Sequence, residues 1–404
     1  MPSTFSWLDH SEQQRRTVLD LLHLFKERET VDELGIGTIR DALADLLFPG
    51  TSAPQTRARY FLFVPWMYQG FEKQRTPSAE IGRKAKLAEG QLIEALLKAG
   101  ESDGVIGRVA GKGLQRRPAS IYWAGLRRLG ILLREGSQQQ YHASLDAAYR
   151  HHAEPTEDGE RPARRLAAWH SRLPAAPRSF PGSPSLQLEP HEAEFLRDQL
   201  QVSAPDSLFA AIVREKTAPP PCEFPWDEAR YMGFSPQIQR QLTHAQNLSE
   251  VMHGAALLYN LILSELTGNQ EREQEYVTRL GRWASAVIAP RQGELAAWDL
   301  DDLWTCAEAE GARIGLRTRR FVVDWYQEAV RSGNAATVAS RQMARRIVEN
   351  RERAMKGRAA RVDNQRARER WGGAAGTIRL SYRWSNAARI AADIVTGLNG
   401  DAHA

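Results

Sequence analysis

The densest chemistry in the sequence is a run of cations. Between Arg341 and Arg370 lie Arg341, Arg345, Arg346, Arg351, Arg353, Lys356, Arg358, Arg361, Arg366, Arg368 and Arg370, against the four acids Glu349, Glu352, Asp363 and Glu369. Guanidinium is planar and always charged, and its forked N–H groups match two phosphate oxygens at once. Ala344, Ile347, Val348, Met355 and Val362 form a narrow apolar stripe through the run. That pattern predicts a long helix over 341–370, docked by one face and projecting guanidinium groups from the other. Each phosphate neutralised on duplex DNA would release counterions, lowering affinity by roughly 0.9 log units per log unit of salt. Trp371, Tyr382 and Trp384 follow closely, and aromatic rings beside arginine can stack on unpaired bases. Two other readings fit the same run: a solvated charged face, or a dock for an acidic protein.

The charge is localised. From Gly311 to Ala404 there are 19 Lys+Arg against 8 Asp+Glu, leaving 35 against 41 in the other 310 residues. A net charge of +5 therefore splits into +11 at one end and −6 elsewhere, which predicts one basic contact surface on a mildly acidic body.

Other catalytic and binding patterns fail on particular residues. A phosphate-binding loop at Gly104–Gly113 would need glycine at Ile106 and Ser or Thr at Gly113. A dinucleotide fingerprint at Gly35-Ile36-Gly37 meets Arg40 where its third glycine belongs. No HExxH, HxH, CxxC or GxSxG occurs, and no Asp…Glu-x-Lys spacing of a metal-dependent nuclease. His151-His152 falls in a polar stretch, and His244 and His253 share a predicted helix without i,i+4 spacing. The expectation is a non-enzymatic protein with no cofactor and no metal. An active site assembled from distant residues is the remaining alternative.

Apolar spacing of three and four residues dominates the chain and predicts a mainly α, multi-domain fold. Ser11 and Gln14 read as a capping box before Val18, Leu21, Leu22 and Phe25. A second helix carries Ile39, Leu43, Leu46 and Leu47 on one face and stops at Pro49-Gly50. Residues 1–150 are expected to form an N-terminal helical domain. Within it, 78–135 has the outline of a winged helix-turn-helix: a helix Ile81–Ala99, a glycine-rich loop, a helix Pro118–Leu129, and a short strand at Ile131–Leu133. Lys112, Arg116, Arg117, Arg127 and Arg128 would sit on or beside its second helix, as a nucleic-acid contact or as the solvated face of a small helical subdomain. Proline density over 151–190 predicts an extended tether, and 191–404 a C-terminal helical domain. Its helices are expected at Pro236–Leu266, Glu271–Ile288, an acidic one after Leu295, and another from Arg317 holding Phe321, Val322 and Trp325.

Compartment follows from composition. Cys222 and Cys306 are far apart, which suits a reducing environment. The N-terminus lacks the apolar core of a signal peptide, and no run reaches the ~18 apolar residues of a membrane span. A cytoplasmic location and no membrane role are expected.

Residues Trp7-Leu8-Asp9, Asp32 to Gly37, Arg40-Asp41, Ala44-Asp45, Leu47 to Ser52 and Gln55 to Trp66 form a recognisable series. It resembles the opening of an uncharacterised bacterial domain-of-unknown-function family found in phage-defence gene clusters. The likeness extends through Ile121 to Leu126 and Tyr382-Arg383-Trp384, over most of the chain. It implies a helical subunit of a multi-gene anti-phage system, beside partners such as a helicase or nuclease, and it carries over no catalytic residue. Physically, Arg57–Trp66 reads as a core helix whose arginines cap or pair with Asp41 and Asp45. The expected function is phosphate-directed nucleic-acid binding, DNA ahead of RNA, by a non-catalytic subunit. The alternative is an adaptor whose basic helix docks on an acidic partner.

Overall fold

The computed structural model describes residues 32–109, 114, 116–151, 168–228, 230 and 233–400. The Ser11 capping box and its helix, Trp7–Asp9, Lys112, His152, the acidic run Glu154 to Glu160 and Pro162 lie outside these residues. Helices are α1 (Gly37–Leu47), α2 (Tyr60–Lys73), α3 (Ser78–Lys98), α4 (Pro118–Arg128), α5 (Gln138–His151), α6 (Pro190–Ser203) and α7 (Leu208–Arg214). They continue as α8 (Pro236–Leu266), α9 (Gln270–Arg282), α10 (Leu300–Ala307), α11 (Leu316–Tyr326), α12 (Gln342–Lys356), α13 (Gln365–Arg368) and α14 (Trp384–Leu398). The mainly α expectation holds. Among the described residues, β pairing is confined to an isolated antiparallel bridge between Leu132 and Trp169.

The described chain divides into two units, one of residues 32–43 and 243–380, the other of 44–242 and 381–400. This differs from the chain-order division at 150 and 191 expected from the sequence. Periodicity identifies an apolar face but not the face it meets. Ile390, Ala391, Ile394 and Val395 of α14 are buried where that helix packs on α6 and α7, nearly two hundred residues earlier in the chain.

In the second unit α2 is buried through Tyr68 on all sides, as a helix apolar all round must be. Arg57 and Arg59, just before it, are core ion-pair residues as expected, but with other partners. Arg57 Nη2 pairs with Asp393 at 2.9 Å, and Arg59 Nη2 with fully buried Glu192 at 2.8 Å. Asp41 is paired instead with neighbouring Arg40 at 3.0 Å, and Asp45 with Arg383 at 2.6 Å. The Pro49-Gly50 turn meets α4 at Gly125, where an added Cβ would collide with the Gly50 carbonyl oxygen. Both glycines belong to the residues that carry the family resemblance. The resemblance therefore reads largely as packing.

The expected tether is, in its described part, folded onto this unit. α5 runs to His151, and Trp66 Nε1 donates to the Pro174 carbonyl at 2.7 Å. Phe180 stacks on Phe63, Trp169 joins the Tyr68, Trp123 and Tyr141 rings, and Leu186 is fully buried. Aromatic and leucine side chains between the prolines outweigh proline's preference for an extended tether, because each buried one contributes roughly 2–3 kcal/mol.

In the first unit α8 is the central element from Thr243 onward, with Val251, Ala255, Leu258, Tyr259 and Ile262 buried. Its carbonyls take two indole N–H groups: Trp283 donates to Glu250 and Trp325 to Val251, each at 2.8 Å. α12 lies against α11.

Candidate nucleic-acid interface

The helix expected over 341–370 stops at Lys356. Gly357 follows with φ +52°, a left-handed conformation open to glycine at little cost. A turn of 3-10 helix and the four-residue α13 complete the segment.

Most cations of α12 are already engaged. Arg341 Nε meets Glu328 at 2.6 Å, and Arg345 pairs with Glu265 while donating to the Ala339 carbonyl at 2.9 Å. Arg353 holds Asp363 with two bonds, at 2.8 and 3.0 Å, and reaches Glu349 at 3.4 Å. Lys356 lies between Glu33 and Glu352.

Arg351 is 5 % exposed and has no carboxylate partner among the described residues. Its guanidinium donates to the carbonyls of Leu34 at 2.7 Å, Gly35 at 2.8 Å and Arg317 at 3.2 Å, and to Thr318 Oγ1 at 2.9 Å. Burial holds its pKa below the usual arginine value, with Asp32 acting weakly against this. It is a tie between α11, α12 and the segment before α1, not a phosphate contact.

Glu352 organises the turn after Gly357. Its carboxylate is fully buried and accepts from Tyr259 Oη at 2.5 Å, the amides of Arg361 and Val362 at 2.9 and 3.0 Å, and Lys356 Nζ at 3.0 Å. Burial pushes its pKa up, but these donors outweigh burial and hold it below the usual carboxylate value. Arg361 pairs with Glu33 at 2.7 Å, and Arg368 Nη1 donates to the carbonyls of Arg361 and Val362 at 2.7 and 3.1 Å.

Seven of the eleven cations thus stabilise the fold. Charge composition does not reveal these partners, because acids distant in sequence, such as Glu33, Glu265 and Glu328, become neighbours only on folding. Arg346, Arg358, Arg366 and Arg370 remain exposed, and their guanidinium groups have no hydrogen-bond or ion-pair partner among the described residues. Arg358 and Arg366 share an open hollow of about 790 Å³ with Asp363, Asn364, Gln365 and Glu369.

In the second unit, Arg116 and Arg127 are exposed, Arg117 donates to the Lys86 carbonyl at 3.3 Å, and Arg128 to the Ser203 carbonyl at 2.8 Å. α4 buries Ile121, Tyr122, Trp123, Gly125 and Leu126, so its exposed strip is narrow. At Ile131–Leu133, where a wing strand was expected, stands the single Leu132–Trp169 bridge.

The aromatics expected to stack on bases are core. Trp371 is 7 % exposed and donates to Asn260 Oδ1 at 3.1 Å, Tyr382 is buried, and Trp384 donates to the Cys222 carbonyl at 3.0 Å. Sequence reasoning missed Arg313 and Arg317, both exposed and without a side-chain partner among the described residues. The signal was Arg317, Arg319 and Arg320 at the start of α11, which pattern alone marks only as a helix start. His244, expected solely as a helix residue, accepts from Trp298 Nε1 at Nδ1 (3.0 Å), so Nε2 carries the proton and donates to Asp302 at 2.9 Å.

Among the described residues no helix is long and apolar enough to cross a membrane. No curated protein and no solved structure matches the chain. Residues 2–397 match a family of unknown function, DUF6361, and the chain belongs to that family.

Proposed function

We propose that this protein binds nucleic acid, DNA ahead of RNA, through phosphate contacts from Arg346, Arg358, Arg366 and Arg370, as a non-catalytic subunit of an anti-phage complex. The observation that carries the binding reading is that these four guanidinium groups have no partner among the described residues, in a segment whose other cations are matched to carboxylates or carbonyls. A folded protein gains little from leaving arginine unmatched, whereas a phosphate backbone supplies the missing anions. The segment is also anchored, so little ordering is needed on contact. The defence setting follows from the resemblance of the opening motifs alone.

Four phosphate contacts give a salt slope of roughly 3–4 log units per log unit, or about a hundredfold weakening between 50 and 200 mM salt. Fluorescence anisotropy with labelled duplex and single-stranded DNA across that range measures it directly. Arg358→Glu with Arg366→Glu and Arg370→Glu should remove binding without unfolding the protein. Unaltered affinity in the folded triple variant sinks the assignment. No binding by the wild type, with an acidic partner co-purifying in fixed ratio, replaces it with the adaptor reading.

A further inference from the structure

The hollow beside α13 differs from a phosphate track. A 15-residue α12 spans roughly 22 Å, yet Arg346 is the one cation within it left unpaired among the described residues. The other three of the four cations unpaired among the described residues lie after Gly357, and two of them, Arg358 and Arg366, line one shallow, open hollow of about 790 Å³.

One side chain ties together the backbone segments that carry those two. Asn364 Nδ2 donates to the Arg358 carbonyl at 2.8 Å, while its Oδ1 accepts from the Ala367 amide at 3.1 Å and caps α13, which carries Arg366. From beneath, Glu352 holds the Arg361 and Val362 amides, and Arg368 holds the carbonyls of the same two residues. Asp363, one of the two acids in the lining, is matched by two bonds from Arg353, which hold its carboxyl below the usual range. Two guanidinium groups unmatched among the described residues therefore line an open hollow whose two acids are Asp363, compensated by Arg353, and Glu369, bonded by Gln365.

Such a pair suits a phosphomonoester, which carries about −1.5 to −2 charge at neutral pH, better than a diester with a single charge. The rest of the lining is polar. Gln365 donates to Glu369 at 3.3 Å, leaving the glutamine carbonyl and the second carboxylate oxygen as acceptors for an exocyclic amine.

We propose that this hollow takes one nucleoside monophosphate unit, its phosphate between Arg358 and Arg366 and its base edge against Gln365 and Glu369. The unit is either free or the phosphorylated end of a strand. This rests on the phosphate-binding reading and narrows it to a terminal group.

Affinities of the full chain would be measured for oligonucleotides of one sequence with a 5′-phosphate, a 3′-phosphate or hydroxyl ends. Free nucleoside monophosphates and the matching nucleosides serve as competitors. A phosphorylated end should bind about tenfold tighter than the hydroxyl end in the wild type. That preference should vanish in Arg358→Ala/Arg366→Ala and persist in Arg346→Ala/Arg370→Ala, where both ends weaken together. Tm measurements on each variant separate loss of the site from loss of the fold. Binding of free monophosphates but not of any oligonucleotide supports the hollow, makes the free nucleotide its ligand, and overturns nucleic-acid binding. Salt-sensitive binding indifferent to the terminal phosphate overturns the hollow and leaves nucleic-acid binding standing. Absence of binding to every probe overturns both.

Discussion

Arginine serves two ends on either side of Gly357. In α12 and its cap, Arg341, Arg345, Arg351, Arg353 and Lys356 face acids or carbonyls, and Arg346 alone among those cations has no side-chain partner among the described residues. Beyond the glycine, Arg361 and Arg368 clamp the turn, while Arg358, Arg366 and Arg370 are exposed and without a side-chain partner among the described residues. Ion pairs on one side build the platform that the other side presents. A run of like charge is thus neither wholly interface nor wholly scaffold. Which it is depends on acids brought in from elsewhere in the chain.

The sharpest way to break this comparison is to remove the anchor. Glu352→Ala leaves two backbone amides and the Tyr259 hydroxyl without their acceptor and strips one carboxylate from Lys356. A loss of about 3–5 kcal/mol is expected in urea unfolding. A loss under about 1 kcal/mol would mean that the turn stands without it. Arg351→Ala should cost roughly 2–3 kcal/mol, because the carbonyls of Leu34, Gly35 and Arg317 lose a charged donor.

Buried carboxylates offer a test through pH. Glu352 is held below the usual carboxylate value, so its stabilisation is present above about 4.5 and is lost as pH falls through its lowered pKa. Glu352→Gln should flatten that acid limb. Glu89, in the other unit, is 2 % exposed, and the Ala119 amide at 2.7 Å is the hydrogen-bond donor found for it among the described residues. Burial is the main cause pushing its pKa up to about 7, against the Ala119 bond and Arg117. Its sign is opposite: folding favours the protonated form, so stability declines as pH rises from about 4.5 to about 7. Glu89→Gln should remove that decline and raise stability at pH 8 by on the order of 2 kcal/mol. A wild-type Tm that does not fall between pH 5 and 7 would contradict the assignment.

The smallest expected effect is the most diagnostic for the comparison. Arg358→Ala with Arg366→Ala should change stability by less than about 0.5 kcal/mol, since both are exposed and neither guanidinium has a hydrogen-bond or ion-pair partner among the described residues. A larger loss would place them with the clamping arginines.

Local pattern carried far in this chain. Three- and four-residue spacing located α8 at Pro236–Leu266 and put α11 near Arg317. Gly50 adopts a positive φ at the predicted stop. Those outcomes depend on residues within a turn or two of each other. Where the reading went wrong, the deciding contact was remote. Arg57 chose Asp393 over Asp41 or Asp45, Trp384 entered the core instead of solvent, and the proline stretch was held by Trp66 and Phe63.

The arginine segment shows the same boundary at its clearest. Charge count and helical tendency are properties of neighbouring residues, and the sequence by itself determined that this end of the chain is basic. Which four of eleven cations stay available was decided by the tertiary structure. An ion pair forms only when burial and distance favour it, and Glu33, Glu265 and Glu328 reach their arginines by folding alone.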